Sequence, residues 1–364
     1  MLEVPEGPLR HGYTTGACAT ACAKGALLAL IHQRPVQEAT IHIPAGQWVT
    51  FPLHDVAFTP AFARAATIKD GGDDPDATHG ATIIATVSWT DAPGVEIDGG
   101  EGVGRVTKPG LPIPVGEAAI NPVPRRMIRE TCEAVLAEHG IGRGVRVVVS
   151  VPGGEEIAKK TMNPRLGIIG GISILGTRGI VVPFSTASYK ASIALGLQVA
   201  REQGIRTVVM TTGGRSEKYG MRMYPELPQE AFIEMGDFVG FSAKHAKRTG
   251  MTEIRFVGMM GKFSKVAQGI MMVHAKSAPI DFGFLANLAE ASGVPPAVCA
   301  DIREANTANQ VADMVLAAGC PRFFDRIAQA CCEQVLQHIG GGVRIVTRLV
   351  TLDGAELGGA SVDG

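Results

Sequence analysis

Short apolar runs with a two-residue period predict β-strands in the first part of the chain. Residues 40–53 alternate between apolar and polar side chains on both sides of Pro44-Ala45-Gly46, which predicts a β-hairpin. Three further strand-like runs are bounded by glycine or proline: residues 81–89, 95–98 and 145–151. Predicted helices at residues 17–30 and 123–139 interrupt these strands. We therefore predict a β-rich α+β domain over residues 1–162.

The predicted opening helix is made almost entirely of small residues. Thr14 and Thr15 precede it and are good N-cap candidates, and residues 17–30 contain mainly strong helix formers. Small side chains let a helix backbone approach a neighbour or a ligand closely, and the N–H groups at a helix start can bind an anion. Taken alone, the segment is best interpreted as a capped and buried core helix.

Strand-like and helical runs alternate after residue 163. Predicted strands at residues 167–173, 207–210 and 253–257 are separated by helical patterns such as residues 186–203. This alternation is typical of βαβ units, so we predict a Rossmann-like parallel-sheet domain over residues 163–340. Helices continue through residues 321–338. Residues 341–364 are predicted to form a last strand, at residues 343–350, and a flexible glycine-rich tail.

Three glycine-bearing turns follow predicted strands in this second part, at residues 170–179, 211–214 and 258–262. Ligands of open parallel sheets bind outside the carboxyl ends of the strands, so the turns predict a small-molecule pocket. The third turn does not match a phosphate-binding loop. Phe256 stands where that motif needs glycine, and Phe263 stands where it needs a hydroxyl side chain.

Composition excludes several classes of protein. The 364 residues are 46% hydrophobic and 19% charged, which is typical of an ordered globular chain. The formal net charge of -1 provides no basic field, so we expect neither a nucleic-acid nor a membrane partner. No signal-peptide pattern is visible at the N-terminus, and the seven scattered cysteines fit no zinc motif. We therefore expect a cytoplasmic protein with free thiols.

Two charged loops are candidate binding segments. Residues 70–80 contain four aspartates, which could ligate Mg²⁺ or Ca²⁺, but the EF-hand spacing is absent and a plain surface turn is the favoured interpretation. We therefore predict no metal site. Glycine-rich residues 99–111 carry Lys108 and are followed by Asn121 and Arg125, a set that suits carboxylate recognition. A hairpin followed by an ordinary helix start is the alternative for this second loop.

These features together indicate a two-domain protein with a pocket for a polyanionic small molecule, and they leave the reaction open. Among the isolated histidines, His274 is retained as a candidate because it follows an apolar run and precedes Asp281. No histidine lies in a GxSxG or HExxH context.

Six segments, in this order along the chain, resemble the CbiD family: GYTTGACATACAKGA, DGGDDPDATHGA, GGEGVGRVTKPGL, INPVPRRMI, NPRLGIIGGISILGTRGIV and GKFSKVAQG. The resemblance extends from about residue 9 to residue 281. It implies transfer of a methyl group from S-adenosylmethionine to C-1 of cobalt-precorrin-5B, giving cobalt-precorrin-6A in anaerobic cobalamin biosynthesis. Cobalt would arrive with the corrinoid, so the protein need not supply ligands for it.

The resemblance allows the candidate residues to be assigned to ligands as a hypothesis. The S-adenosylmethionine site would comprise Gly170, Gly171, Ser173, Gly176, Thr177, Gly179, Thr211, Thr212, Gly213 and Gly214. The corrinoid would face Thr14, Thr15, Gly16, Lys108, Asn121, Arg125 and Arg165. The candidate catalytic residues are Thr15, Lys108 and His274.

Two other functions remain open at this point. A non-catalytic corrinoid carrier of the same pathway would bind the tetrapyrrole without affinity for S-adenosylmethionine. A nucleotide-dependent kinase or ligase using residues 258–264 would bind ATP in a manner sensitive to Lys262→Ala. The chain could form a homo-oligomer, although no heptad pattern is visible.

Overall fold

A computed structural model of the chain describes residues 7–274 and 276–364. It divides into an N-terminal unit that ends at Ser185 and a C-terminal unit that begins at Thr186. The predicted fold class, a mixed α/β chain with two domains, is confirmed. The observed division lies after the boundary that we predict at residue 162, because two short strands that follow it, Ile168–Ile169 and Ile180–Val181, pair with strands of the N-terminal unit.

The N-terminal unit contains eleven strands among its described residues, several of them only two residues long. They are β1 (Gly12–Tyr13), β2 (Glu38–Ile43), β3 (Gln47–Pro52), β4 (His54–Phe58), β5 (Phe62–Ile68), β6 (Thr82–Thr90), β7 (Val95–Gly99), β8 (Arg105–Val106), β9 (Gly144–Ser150), β10 (Ile168–Ile169) and β11 (Ile180–Val181). Its helices are α1 (Thr15–His32), α2 (Pro122–Glu138) and α3 (Gly154–Ala158).

A five-stranded sheet in the order β4-β5-β6-β9-β7 supports this unit. The hairpin predicted at residues 40–53 is confirmed as β2 and β3, which pair antiparallel with Ile41 opposite Val49. Alternate residues of β6 and β9, such as Val87 and Val147, are fully buried, as the two-residue period requires. The core therefore lies on one face of the sheet, where α1 packs.

Helix α1 is the buried central helix of the N-terminal unit, as its small residues predict. Gly25 allows this packing, because a Cβ atom there would lie 2.1 Å from Leu53 Cδ1. By length and composition α1 is also the one helix, within the described residues, that could cross a membrane. However, 78% of its apolar window is buried inside the protein, which is typical of a core helix.

The C-terminal unit is an α/β structure with five strands among its described residues. They are β12 (Thr207–Thr211), β13 (Phe232–Glu234), β14 (Glu253–Met259), β15 (Arg344–Val350) and β16 (Glu356–Asp363). Its helices are α4 (Thr186–Glu202), α5 (Gly214–Met223), α6 (Val239–Thr249), α7 (Met260–Ala267), α8 (Phe282–Ala291), α9 (Pro296–Arg303), α10 (Ala308–Ala317) and α11 (Arg322–Ile339), with a 3₁₀ turn at Gln229–Ala231.

The sheet of this unit has the order β13-β12-β14-β15-β16 and is parallel except for β16. After β12 the chain passes to β13 on one side, and it then returns to β14 on the other side. The strand order therefore reverses at β12, and in open α/β sheets the ligand crevice lies outside the carboxyl ends of the strands at such a reversal.

Two elements differ from the sequence prediction. The strand predicted at residues 167–173 is reduced to β10, which pairs antiparallel with β8 and does not join the parallel sheet. The tail that we predict to be flexible contains β16, which pairs antiparallel with β15. Its glycines permit close packing, because a Cβ atom at Gly358 would lie 2.7 Å from Asp325 Oδ1.

Candidate functional site

The start of α1 and the turn at residues 170–179 form one hydrogen-bonded piece of the N-terminal unit. Thr14 caps the helix, its Oγ1 accepting from Ala17 N at 3.2 Å. The Thr15 hydroxyl accepts from Leu175 N at 2.9 Å and donates to Leu175 O at 3.2 Å. Gly176 has φ +133°, and a Cβ atom there would lie 2.3 Å from Thr14 Oγ1. Two motifs that lie 160 residues apart are therefore built against each other.

These motifs form one wall of a cavity of about 300 Å³, which we call the threonine–lysine cavity. Three loops meet in it: the start of α1, the acidic loop at residues 70–80, and the segment at residues 160–175. Most of its polar lining side chains are buried. The polar lining residues include Thr14, Thr15, Lys69, Asp76, Thr78, Lys160, Asn163 and Ser173.

Lys69 and Asp76 form an ion pair inside the threonine–lysine cavity. Lys69 is 1% exposed, and its Nζ lies 2.5 Å from Asp76 Oδ2. The other carboxylate oxygen of Asp76 accepts hydrogen bonds from the backbone and the hydroxyl of Thr78, at 2.7 and 2.6 Å. Burial alone would raise the pKa of Asp76, but the Lys69 charge and these hydrogen bonds lower it below its ordinary value.

The other carboxylates of the acidic loop hold the loop in place. The hydrogen bond from Arg10, followed by one from Gly72 N, lowers the pKa of Asp70 to about 2. Asp73 accepts from Arg10 N at 2.6 Å, and Asp74 accepts from Phe184 N at 2.9 Å. Within residues 7–274 and 276–364, no group of three or more histidine, cysteine or acidic residues is arranged to hold a metal ion.

The other residues that we predict to face the corrinoid are not among those that line this cavity. Arg125 pairs with Glu117 at 3.0 Å, donates to Ile120 O at 2.9 Å, and lines a separate surface notch. The methylene groups of Lys108 pack on Gly167. Gly16 packs against Pro124, and Asn121 is the residue before α2. Arg165 is half-buried and lies between α3 and β10.

A second candidate site lies at the carboxyl ends of β12, β13 and β14 in the C-terminal unit. We call it the strand-end site and define it by residues 211–214, Glu234, Asp237 and Lys262. The Ser216 hydroxyl fixes its glycine turn by accepting from Thr212 N at 3.1 Å and donating to Gly213 O at 2.8 Å. A Cβ atom at Gly213 would lie 3.9 Å from Glu234 Oε1, so the glutamate carboxylate faces the turn.

A lysine links two strand ends of this site. Lys262 Nζ lies 3.0 Å from Asp237 Oδ1 and donates to Thr212 O at 3.2 Å. Thr211 Oγ1 is buried and has no hydrogen-bond partner among the described residues. Burial, followed by the charges of Glu234, Asp237 and Glu217, raises the pKa of Tyr189. The strand-end site is thus a glycine turn bordered by carboxylates and hydroxyl groups.

The predicted S-adenosylmethionine residues are divided between the two units. Gly170, Gly171, Ser173, Gly176, Thr177 and Gly179 belong to the N-terminal unit, whereas Thr211, Thr212, Gly213 and Gly214 belong to the C-terminal unit. The expectation that all three glycine turns follow parallel strands is therefore wrong for residues 170–179. Gly171 instead serves packing, because a Cβ atom there would lie 2.1 Å from Gly102 O.

His274 lies in the C-terminal unit and holds a local turn. Its backbone oxygen accepts from Lys265 Nζ at 2.9 Å, and its Nδ1 accepts from Lys276 N at 3.2 Å. Lys69, Glu234 and Asp237 belong to the two candidate sites but are not among the residues predicted from the sequence. A signal existed for Glu234, which follows Gly213 by about 20 residues, the usual distance between a glycine turn and the acidic residue of a nucleotide-binding βαβ unit.

Comparison with known proteins gives consistent matches. The sequence model described as CbiD matches residues 3–183, and the one described as CbiD, C-terminal domain matches residues 272–361. The chain is 65% identical over 357 residues to the cobalt-precorrin-5B C(1)-methyltransferase of Geobacillus kaustophilus (strain HTA426), which covers 98% of this chain and 96% of that relative. It is 59% identical over 362 residues to the enzyme of the same name from Priestia megaterium, with 99% of each chain covered.

Among solved structures, a 1.9 Å crystal structure of cobalamin biosynthesis protein (cbiD) from Archaeoglobus fulgidus is 26% identical, covers 86% of each chain and gives a TM-score of 0.39. The sequence matches extend over both structural units. With 65% identity along nearly its whole length, this chain belongs to the CbiD family.

Proposed function

We propose that this chain is a cobalt-precorrin-5B C(1)-methyltransferase that uses S-adenosylmethionine as the methyl donor. The observation that carries the proposal is the 65% identity over 98% of the chain to a relative named cobalt-precorrin-5B C(1)-methyltransferase. The relatives at 59% and 65% identity bear the name of an enzyme, which favours catalysis over the carrier alternative. We further propose that the protein is cytoplasmic, and the seven free thiols support this location.

The residues of the strand-end site fit a nucleoside carrying an amino-acid tail. The turn at Gly213 leaves its backbone accessible, and the carboxylate of Glu234 can accept from ligand hydroxyl groups. The buried hydroxyl of Thr211, without a partner among the described residues, offers a further donor and acceptor. Lys262, which is paired with Asp237 at 3.0 Å, lies at the same strand ends.

S-adenosylmethionine supplies a methyl group on a positively charged sulfur, so the protein need not provide a nucleophile. The task of the chain is then to align the reactants and to exclude water. Ser216 fixes the glycine turn, and Lys262 connects Thr212 O with Asp237, so both contacts preorganise the strand ends. Rigid positioning of this kind is what in-line methyl transfer requires.

The threonine–lysine cavity is suited to part of the corrinoid. Its volume of about 300 Å³ is at the lower limit of small-ligand pockets, so it would hold one side arm of the macrocycle and not the ring. The hydroxyl group of Thr14 and the amide of Asn163 can donate to a carboxylate, and Lys160 adds a positive charge at the wall. We assign the acetate and propionate arms of the substrate to such donors.

A single-turnover incubation with methyl-labelled S-adenosylmethionine and cobalt-precorrin-5B tests the proposal. We expect the corrinoid to gain one labelled methyl group by mass analysis, with NMR placing it at C-1. Corrinoid binding without methyl gain would favour the carrier function. Binding of ATP in place of S-adenosylmethionine, lost in Lys262→Ala, would favour the kinase or ligase alternative.

A further inference from the structure

The segment from β12 to β13 has the geometry of a nucleotide-binding βαβ unit. Strand β12 ends at Thr211, the glycine turn follows, and α5 begins at Gly214. Strand β13 then pairs parallel to β12, with Glu234 directly opposite Thr211. Met235 N donates to Thr211 O at 2.8 Å, so the two strand ends are fixed side by side.

This pairing places the Glu234 carboxylate in front of the glycine turn. A Cβ atom built at Gly213 would lie 3.9 Å from Glu234 Oε1, so only the absence of a side chain keeps the space between them open. Glu234 is half-buried, and the hydroxyl of Tyr189 lies 3.4 Å from its backbone oxygen. The carboxylate is therefore held at one edge of the crevice where the strand order reverses.

A carboxylate at this position has a definite chemical preference. Ionised glutamate only accepts hydrogen bonds, and its two oxygens match the two neighbouring hydroxyl groups of a ribose. In dinucleotide-binding folds, an acidic residue about 20 residues after the glycine turn accepts from a ribose hydroxyl for this reason. Glu234 stands at that distance from Gly213.

We propose that Glu234 binds the 2′- and 3′-hydroxyl groups of the adenosyl ribose of the methyl donor. This inference rests on the proposed use of S-adenosylmethionine and assigns a residue to its recognition. It makes Glu234 a specificity residue that selects ribonucleosides over deoxynucleosides.

The other two carboxylates near this turn are less suited to the role. Asp237 is 5% exposed and is neutralised by Lys262 at 3.0 Å. Glu217 lies in the first turn of α5, where a negative charge interacts favourably with the helix dipole. Of these three carboxylates, Glu234 is the one that lies on β13, opposite Thr211, and faces Gly213.

Direct binding measurements test the assignment without any requirement for turnover. Isothermal titration calorimetry of the full chain would compare S-adenosylhomocysteine with its 2′-deoxy and 3′-deoxy counterparts. For the wild-type protein we expect each missing hydroxyl to weaken binding about 10- to 100-fold, the usual range for a hydrogen bond to a charged group. Glu234→Gln should lose most of this discrimination, whereas Glu217→Gln, a matched change in α5, should keep it.

Each result has a separate meaning. Wild-type-like discrimination by Glu234→Gln, checked for native circular dichroism, would overturn the assignment and leave the proposed function intact. The same holds if the wild-type protein binds all three ligands equally. If the wild-type protein binds none of them but binds the corrinoid, the proposed use of S-adenosylmethionine fails, and the assignment fails with it.

Discussion

The side-chain hydroxyl of Thr15 binds both backbone polar groups of Leu175, the N–H group and the carbonyl oxygen. The Thr15 hydroxyl accepts from Leu175 N at 2.9 Å and donates to Leu175 O at 3.2 Å, although the two residues are 160 positions apart. Gly16 N also donates to Leu175 O, at 3.0 Å, so the carbonyl has a second partner and the N–H group depends on Thr15. The threonine pair at the start of α1 is therefore explained first by this structural connection.

Replacing Thr15 tests how much this connection contributes to stability. Thr15→Val keeps the side-chain volume but leaves the N–H group of Leu175 without its partner. We expect a loss of about 1–3 kcal/mol in the free energy of unfolding, measured by urea denaturation. Thr15→Ser retains the hydroxyl and should lose less. Equal stability of Thr15→Val and the wild-type protein would show that the connection contributes nothing.

The two partners of the Lys69–Asp76 pair should contribute unequally to the free energy of unfolding. Lys69 is 1% exposed, whereas Asp76 is 21% exposed. Asp76→Asn leaves a buried ammonium group without a counter-charge, so we expect a loss of about 3–5 kcal/mol. Lys69→Met leaves a carboxylate that water and Thr78 still contact, so we expect a smaller loss of about 1–3 kcal/mol. Urea denaturation of both variants at pH 7 would measure this order, and the reverse order would contradict it.

The carboxylates of the acidic loop should make the folded protein less stable at low pH. The folded state lowers the pKa of Asp76 and holds that of Asp70 at about 2, below the ordinary aspartate value of about 3.9. A lowered folded-state pKa stabilises the protein above the unfolded-state value, and this contribution disappears as the pH falls through the folded-state pKa. We expect the melting temperature to fall between about pH 4 and pH 2.

Asp70→Asn is the informative variant for this pH dependence. It removes one of the two titrating groups, so the decrease in melting temperature below pH 4 should be shallower than in the wild-type protein. Calorimetric scans from pH 2 to pH 6 would measure both profiles. Parallel profiles would mean that Asp70 does not contribute to the acid sensitivity.

Local patterns in the sequence predict several of the main helices and strands, but they do not show which strands pair over long distances along the chain. The hairpin at residues 40–53 and the helix at residues 186–203 follow from periodicity within a short window, and both are confirmed. The short strand β10 resembles a strand of the parallel sheet in sequence, but its partner is β8, and no local pattern carries that information.

Glycine is the residue whose role the sequence left most ambiguous. Gly171 and Gly213 lie in turns that look alike in sequence, yet Gly171 permits contact with the Gly102 backbone and Gly213 faces a carboxylate across open space. The local sequence does not identify Lys69 as a site residue, for a related reason. A lysine at the end of a strand is usually exposed, and only tertiary packing buries this one beside Asp76.

Two glycine-to-alanine substitutions distinguish a packing role from a ligand-binding role. Gly176 has φ +133°, and an added Cβ atom would lie 2.3 Å from Thr14 Oγ1, so Gly176→Ala should lower the free energy of unfolding by about 1–3 kcal/mol. Gly213 has φ 163°, an extended conformation open to any residue, and an added Cβ atom would meet its nearest neighbour at 3.9 Å. Gly213→Ala should therefore leave stability nearly unchanged.

The same methyl group at Gly213 would occupy the space that we assign to the nucleoside of the methyl donor. We expect Gly213→Ala to weaken binding of S-adenosylhomocysteine by about 10-fold or more, since overfilling a packed space costs about 1–3 kcal/mol. Urea denaturation and calorimetric titration of both variants provide the comparison. Unchanged affinity in Gly213→Ala would place the ligand away from the turn, because the variant keeps its fold and only the space beside Glu234 differs.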